Sequence, residues 1–335
     1  MKRGPTLIAQ PPRLSLARLP TPLHRFERFP FDVDAPRVWI KRDDLTGSAL
    51  SGNKVRKLEY CLADALKLGC DTLITCGGTQ SNLCRAVALA GAQLGLRVHL
   101  VLRGEPTDLV TGNLFLDKLA GATITWASAA DYRTKIWPIM NSIGDEYAAQ
   151  GHKAYAMGPG ASNEVGLWGY LDAAAELRDD MVRLGIKHAR VYLATGTTGT
   201  LAGLLLGTRI RSLNAEIVGI SVGGSGALLA TKVPKDFARW RDRYAPDADV
   251  DGLPVKILDG YAGPGYGKAE PHVLAQIAEV ARTEGVLLDP VYTGKAFYAM
   301  TCELSKEPRC DDVIFLHTGG IFGLLAQPGE FQFDS

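Results

Sequence analysis

The sequence predicts a two-lobed α/β fold, doubly wound, with parallel strands and helices on both sheet faces. Three observations carry that expectation. Short β-rich runs alternate with runs of helical period along most of the chain. Glycine-rich turns follow four of the strands, at 76–78, 196–199, 223–226 and 319–320. The 335 residues exceed one typical domain, so two lobes around a large core are expected.

In chain order, "RVWIKRDDL" (37–45) reads as a strand entering a loop. "KVRKLEYCLADALKLG" (54–69) has helical spacing and a stop at Gly69. "DTLITCGG" (71–78) is a strand and glycine turn, and "SNLCRAVALAGAQLG" (81–95) a helix from a Ser/Asn start. "RVHLVLRG" (97–104) gives a strand, "TGNLFLDKLAG" (111–121) a helix and "TITWA" (123–127) a strand. The same rhythm returns at "ARVYLATGTTGTLAGLLLGTRI" (189–210), "AEIVGISVGG" (215–224) and "DDVIFLHTGGIFGLLA" (311–326). The stretch 233–267 is richer in Pro, Asp and aromatic residues and reads as a helix plus an irregular connection over a cleft. Ligands of open α/β sheets bind at the carboxyl ends of strands, so the four glycine turns outline one site.

Composition narrows the function classes. Hydrophobic residues make up 46% and charged residues 22%, the balance of an ordinary globular chain. Basic residues number 37 and acidic residues 36, so nothing draws the chain to nucleic acid or an anionic membrane. The cluster Lys54, Arg56 and Lys57 is too short to change that. Six cysteines, at 61, 70, 76, 84, 302 and 310, form no CxxC pair and no metal-ligand spacing. They read as small apolar residues of a reducing compartment. The N-terminal stretch has prolines where a leader needs an apolar core. No run approaches the ~20 apolar residues of a membrane span, so a cytoplasmic protein is expected.

"LATGTTGTLAGLLLG" carries the strongest anion-site signal. A β-rich run ends in Thr195, Gly196, Thr197, Thr198, Gly199 and Thr200 and opens a helix. Glycines let backbone N–H groups turn toward an anion, the hydroxyls add donors, and the helix start adds positive potential. From this stretch alone an ordinary strand–helix turn is the other reading. It is neither GxxxxGK[ST] nor GxGxxG, which disfavours a nucleoside triphosphate or dinucleotide and favours a single phosphate. "SGNKVRKLEY" (51–60) sets Lys54 behind Ser51, Gly52 and Asn53 at a helix start. Taken alone Lys54 reads as a surface lysine. Paired with a monophosphate cradle, it suggests pyridoxal phosphate held through a Schiff base. Gly52 would let the backbone pass a flat ring, with Asn53 lining it.

In "CGGTQSN" (76–82), Asn82 can donate to a cofactor oxygen, while Gln80 and Ser81 at a helix start can hold a substrate carboxylate. Ser81 and Asn82 equally suit an N-cap. The six histidines form no triad or HxxxH set, and His317 reads as structural.

With "GPGYG" (263–267), "DPVYTGKAF" (289–297) and "HTGG" (317–320) added, the chain resembles the D-cysteine desulfhydrase and 1-aminocyclopropane-1-carboxylate deaminase family, which has the tryptophan-synthase-like (type II) fold. The resemblance runs from "TPLHRF" to "GGIFGL", nearly the full chain. It implies a large cofactor-binding domain of residues 1–56 with 166–335, a small domain of 57–165, and a homodimer. It implies Lys54 as the Schiff-base lysine, Asn82 at the ring oxygen, and the 196–200 turn around the phosphate. Ser81 would bind the substrate carboxylate or assist proton transfer, and Tyr266 and Tyr292 match the family's two active-site tyrosines. Thr293 and Thr318 match the desulfhydrase branch, where the deaminases carry Glu and Leu. A hydroxyl at the pyridine nitrogen makes a weaker electron sink than a carboxylate, which suits elimination of a good leaving group.

The implied reaction is elimination from D-cysteine to pyruvate, sulfide and ammonia. Elimination from L-cysteate or chloroalanine and deamination of the cyclopropane acid are the rivals within the class. Thr198, where a glycine is common, and Glu164 of "GPGASNEVG" depart from the family pattern. A nicotinamide oxidoreductase should show GxGxxG, which is missing. A non-catalytic binding protein would need no lysine–aldehyde chemistry.

Overall fold

The computed structural model describes residues 8–31, 37–306 and 310–331. Residues 1–7, part of the N-terminal stretch read above, lie outside them. Two strands open the chain, β1 (Leu23–Arg25) and β2 (Arg37–Arg42), followed by helix α1 (Asn53–Lys67). The next segment alternates β3 (Thr72–Gly78), α2 (Asn82–Leu94), β4 (Arg97–Arg103), α3 (Gly112–Leu119), β5 (Thr123–Ala127), α4 (Ala129–Ala149) and β6 (Ala154–Met157). After α5 (Leu167–Arg183) come β7 (Ala189–Thr195), α6 (Gly199–Ile210), β8 (Ala215–Ser221), α7 (Gly226–Tyr244) and β9 (Lys256–Leu258). The chain closes with α8 (Pro271–Glu284), α9 (Thr293–Lys306), β10 (Asp312–His317) and α10 (Ile321–Leu325).

The strands form two sheets. One has six strands in the order β1-β2-β10-β7-β8-β9, the other four in the order β5-β4-β3-β6. Every described pair is parallel except β1 with β2. Parallel pairing follows from the sequence: each β-rich run is separated from the next by a helix, which supplies the crossover that parallel strands need. No helix among the described residues is long and apolar enough to cross a membrane.

One buried cluster joins the sheets. It runs from Leu73 of β3 and Leu100 of β4, through Leu58 and Leu62 of α1 and Leu171 of α5, to Leu193 of β7 and Leu205 of α6. Each such leucine contributes about 1.5–3 kcal/mol by leaving water, so the two sheets are held by one shared layer. Helix α6 is buried on almost every side. Its Gly207 lies so close to α5 that an added Cβ would sit 2.0 Å from that of Ala174. That packing fixes the start of α6, where the glycine turn after β7 lies.

Candidate active site

All four glycine turns meet at one cleft that opens to solvent. Gly77 and Gly78 after β3, Gly196 after β7, Gly223 after β8 and Gly319 after β10 each form part of its wall. Parallel strands that end together place their following turns together, as the sequence implies.

Lys54 lines the cleft from the first turn of α1. Its amine donates to Asn53 Oδ1 at 3.0 Å, and Asn53 Nδ2 donates to Thr200 Oγ1 at 3.0 Å. One asparagine therefore ties the lysine to the turn before α6. Burial, with the Arg85 guanidinium nearby, lowers the Lys54 amine from 10.5 to about 8 against the pull of Asp289. Arg85 is itself buried and donates to the Ser51 carbonyl at 2.6 Å, which steadies the loop ahead of Lys54. Gly52 also lies against the turn after β10. Its φ is +91°, and an added Cβ would lie 2.8 Å from the Thr318 carbonyl oxygen. That carbonyl accepts the Asn53 N–H at 3.0 Å. Gly52 thus lets the loop before Lys54 lock against the turn after β10.

The turn before α6 is built as an anion cradle. Gly196, Thr197 and Thr200 line the cleft. The backbone N–H groups of Thr197, Thr198 and Thr200 have no partner among the described residues, while that of Gly199 is taken by Ser162 Oγ at 3.1 Å. Ser162 also donates to Thr197 Oγ1 at 3.0 Å. The other members of the run face elsewhere. Thr198 donates to Asp236, and the Thr195 hydroxyl is buried without a partner among the described residues. Sequence reading missed Lys57. It is fully buried, donates to the Gly160 carbonyl at 3.1 Å, and lies 2.8 Å from where a Gly199 Cβ would be. Burial, then the nearby Lys54, holds its amine well below 10.5. Its spacing of three from Lys54 puts both amines on one helix face, a signal that was legible. Arg56 of the same basic cluster is buried too, paired with Asp43 at 2.8 Å and Glu176 at 2.9 Å.

Ser81 stands both at a helix cap and on the cleft wall. It is the N-cap of α2, accepting from the Cys84 N–H at 3.2 Å, and it lines the cleft. Asn82 and Leu83 line it too, and their N–H groups have no partner among the described residues. Asn113 Nδ2 donates to Asn82 Oδ1 at 3.2 Å, which leaves the Asn82 amide N–H₂ for the cleft. The Gln80 side chain turns away, donating to the Thr111 carbonyl at 3.0 Å and accepting from the Asn113 N–H at 2.9 Å.

Tyr266 and Tyr292 stand together with their hydroxyls 2.6 Å apart, both on the cleft wall. Burial, then Tyr266, pushes the Tyr292 phenol well above 10, so it stays protonated. Thr318 lines the cleft as well. Thr293 does not: its hydroxyl donates to Asp289 Oδ1 at 2.6 Å and accepts from the Asp289 N–H at 2.7 Å. Asp289 also accepts the N–H groups of Val291 and Tyr292, each at 2.9 Å, and so caps the start of α9. His317 is structural, with Nε2 at 2.9 Å from the Leu287 carbonyl and Nδ1 accepting from Gly319 at 3.2 Å. All six cysteines are free thiols, five of them buried.

No carboxylate lines this cleft among the described residues; its charged side chains are Lys54 and Arg103. The set suits a flat aldehyde bearing one phosphate: unmet N–H donors and a buried amine at one end, a partly neutral lysine in the middle, and hydroxyls elsewhere. Donors turned into one end of a cleft in this way can meet the oxygens of an anion.

Comparison with known proteins agrees. The family profile described as "Pyridoxal-phosphate dependent enzyme" matches residues 14–319. The chain is 37% identical over 324 residues to the bifunctional D-cysteine desulfhydrase/1-aminocyclopropane-1-carboxylate deaminase of Arabidopsis thaliana, covering 92% of this chain and 78% of that one. It is 35% identical to the D-cysteine desulfhydrase of Serratia proteamaculans, covering 95% of this chain and 97% of the relative. A crystal structure described as an ACC deaminase homologue superposes with a TM-score of 0.86 at 35% identity, covering 94% of each chain.

Proposed function

The chain belongs to the family of pyridoxal-phosphate-dependent enzymes, and on that premise we propose that this lyase eliminates the β-substituent of an amino acid, with D-cysteine as substrate. D-Cysteine and water then give pyruvate, hydrogen sulfide and ammonia. The observation that carries the proposal is Lys54, an amine of lowered pKa that Asn53 ties to the turn of unmet N–H donors before α6 in the same cleft.

The cofactor supplies an aldehyde for covalent attachment and a ring that withdraws electrons from the substrate's Cα. Lys54 provides the amine for that attachment and then accepts the Cα proton, which an amine near neutrality does most readily. Lys57 and the 196–200 turn hold the phosphate; Gly196, Thr197 and Thr200 line it directly, and Thr198 and Gly199 shape it from behind. Thr195 fixes the strand end that leads into the turn. Asn82, oriented by Asn113, donates to the ring oxygen, and Thr318 flanks the ring. Thr293 acts through Asp289, by fixing the start of α9 next to Tyr292. The N–H groups at the start of α2, with the Ser81 hydroxyl and the Gln80 backbone, receive the substrate carboxylate. Tyr266 and Tyr292 form a protonated pair that can hand a proton to a leaving thiolate.

The absence of a cleft carboxylate among the described residues favours elimination over opening a cyclopropane ring, which needs the stronger electron sink. The names of the relatives support the second reading, deamination of 1-aminocyclopropane-1-carboxylate. We further propose a cytoplasmic homodimer with domains 1–56 plus 166–335 and 57–165. Incubating the cofactor-loaded protein with each acid separates the readings. Pyruvate and sulfide from D-cysteine are expected; 2-oxobutyrate from the cyclopropane acid with no pyruvate from D-cysteine would favour the second.

A further inference from the structure

Lys295 has no place in the chemistry above. It stands in the first turn of α9, shortly after Tyr292, and its side chain is buried. Its Nζ donates to the carbonyls of Ala262 at 2.6 Å and Gly265 at 2.9 Å, with the Val222 carbonyl oxygen at 3.5 Å. No ion pair engages it among the described residues. Burial lowers its amine from 10.5, while Asp289 and Glu270 pull it up. An ammonium has three donors and no acceptor, so carbonyl oxygens alone around it match it donor for acceptor.

Those carbonyls belong to two separate pieces of the cleft wall. Val222 leads into the glycine turn after β8, whose Gly223 lines the cleft. An added Gly223 Cβ would lie 3.2 Å from the Tyr266 ring. Ala262 and Gly265 belong to the loop that carries Tyr266. Glycines at 260, 263, 265 and 267, all with positive φ, make that loop costly to order. Little else holds its backbone. Apart from Lys295, only the Lys268 N–H, at 3.3 Å from the Gly265 carbonyl, bonds to the backbone of residues 262–267 among the described residues. The loop is thus fastened through its backbone by Lys295 and through the Tyr266 hydroxyl by Tyr292.

We propose that Lys295 is a positioning residue, a tethered cation that gathers these carbonyls and so sets Tyr266 beside Tyr292 for proton delivery to the leaving group. This rests on the elimination reading and adds a residue to it. Proteins hold bare cations with backbone carbonyl oxygens in the same way. Here the lysine stem carries the cation on α9, the helix that follows Tyr292. Loss of the ammonium frees the loop and lets Tyr266 drift from Tyr292, while Lys54 and the turn before α6 stay as they are.

The test uses cofactor-loaded protein as wild type, Lys295→Met, Lys295→Ala, Tyr266→Phe, and the variant carrying both Tyr266→Phe and Lys295→Met. D-Cysteine, whose thiolate leaves best with a proton, is compared with β-chloroalanine, whose chloride needs none. In Lys295→Met the ratio of kcat/KM for D-cysteine to that for chloroalanine should fall about 10- to 100-fold, the range of a misplaced proton donor. Adding Lys295→Met to Tyr266→Phe should lower the ratio less than about threefold further, because Lys295 acts through that hydroxyl. Amide exchange at residues 262–267 should quicken at least about tenfold in Lys295→Met, with α8 changed less than about threefold. Propylammonium replaces the carbons and the nitrogen that Lys295→Ala removes, so it should slow that exchange again, and 1-propanol should not. An unchanged ratio, unchanged exchange at 262–267, or equal rescue by 1-propanol overturns the role of Lys295 and leaves elimination standing. Failure of both Lys295 variants to fold even with propylammonium overturns it too, since the amine would then hold far more than this loop. No pyruvate from either substrate overturns elimination, and exchange and rescue then decide whether Lys295 holds the loop.

Discussion

Replacing Gly52 by alanine should damage both stability and cofactor binding, by an amount the backbone sets. Gly52 has φ 91° and ψ 178°, a region that only glycine occupies readily. Forcing an L-residue there costs about 1–3 kcal/mol. The added methyl would also lie 2.8 Å from the Thr318 carbonyl oxygen, with the Gly319 Cα at 3.6 Å. Relieving that contact must move the turn after β10 or the start of α1, and overpacking of this kind costs about 1–3 kcal/mol more. The sum is about 2–6 kcal/mol, a large part of an ordinary stability. Gly69, at the other end of α1, is the control. Its φ is +71°, but nothing lies within 4 Å of an added Cβ, so Gly69→Ala should cost only about 1 kcal/mol. Urea unfolding of the cofactor-free variants measures the difference, and titration with pyridoxal phosphate reads the displacement of Lys54. Equal losses in the two variants, with wild-type cofactor affinity in Gly52→Ala, would refute the reasoning.

Two further outcomes follow from the lysines. Lys57→Met removes the buried amine beside the turn before α6, so pyridoxal phosphate should bind about 10- to 100-fold more weakly, the worth of one charge-assisted hydrogen bond. Pyridoxal, which lacks the phosphate, should lose far less, and equal losses would place Lys57 elsewhere. The lowered pKa of Lys54 predicts the pH dependence of cofactor capture, because only the neutral amine attacks the aldehyde. The neutral fraction grows as pH rises through about 8, so the association rate should climb with that midpoint; a midpoint near 10.5 would contradict the desolvation of Lys54. Over the interval from about 8 to 10.5 the unfolded chain binds more protons at this residue, so the contribution of Lys54 to stability rises with pH there.

Much of this architecture was written locally. The runs at 72–78, 189–195 and 312–317 are β-rich and end in glycine turns, and that local chemistry places the cleft. Other elements lack such a signature. Helix α4 contains Pro138 and buries only Met140 and Ile143, so its apolar period is faint. Strands β6 and β9 have four and three residues, too few to show a period. At the site, Lys54, Asn82 and the turn before α6 were readable because glycines and polar residues cluster around them. The reason for Gly52 was not, since its neighbour Thr318 is distant in sequence. The commitment of Thr293 to Asp289 is likewise a matter of helix capping, hidden behind a motif that invites a catalytic reading.

The central claim is that Lys54 carries the cofactor. Borohydride reduction of the pyridoxal-phosphate-loaded protein, followed by peptide mass mapping, tests it most directly. The account predicts the reduced cofactor on Lys54, and Lys54→Ala should lose both the label and the visible absorption band. A label on Lys57, Lys295 or any other lysine, or an unchanged band in Lys54→Ala, would contradict it.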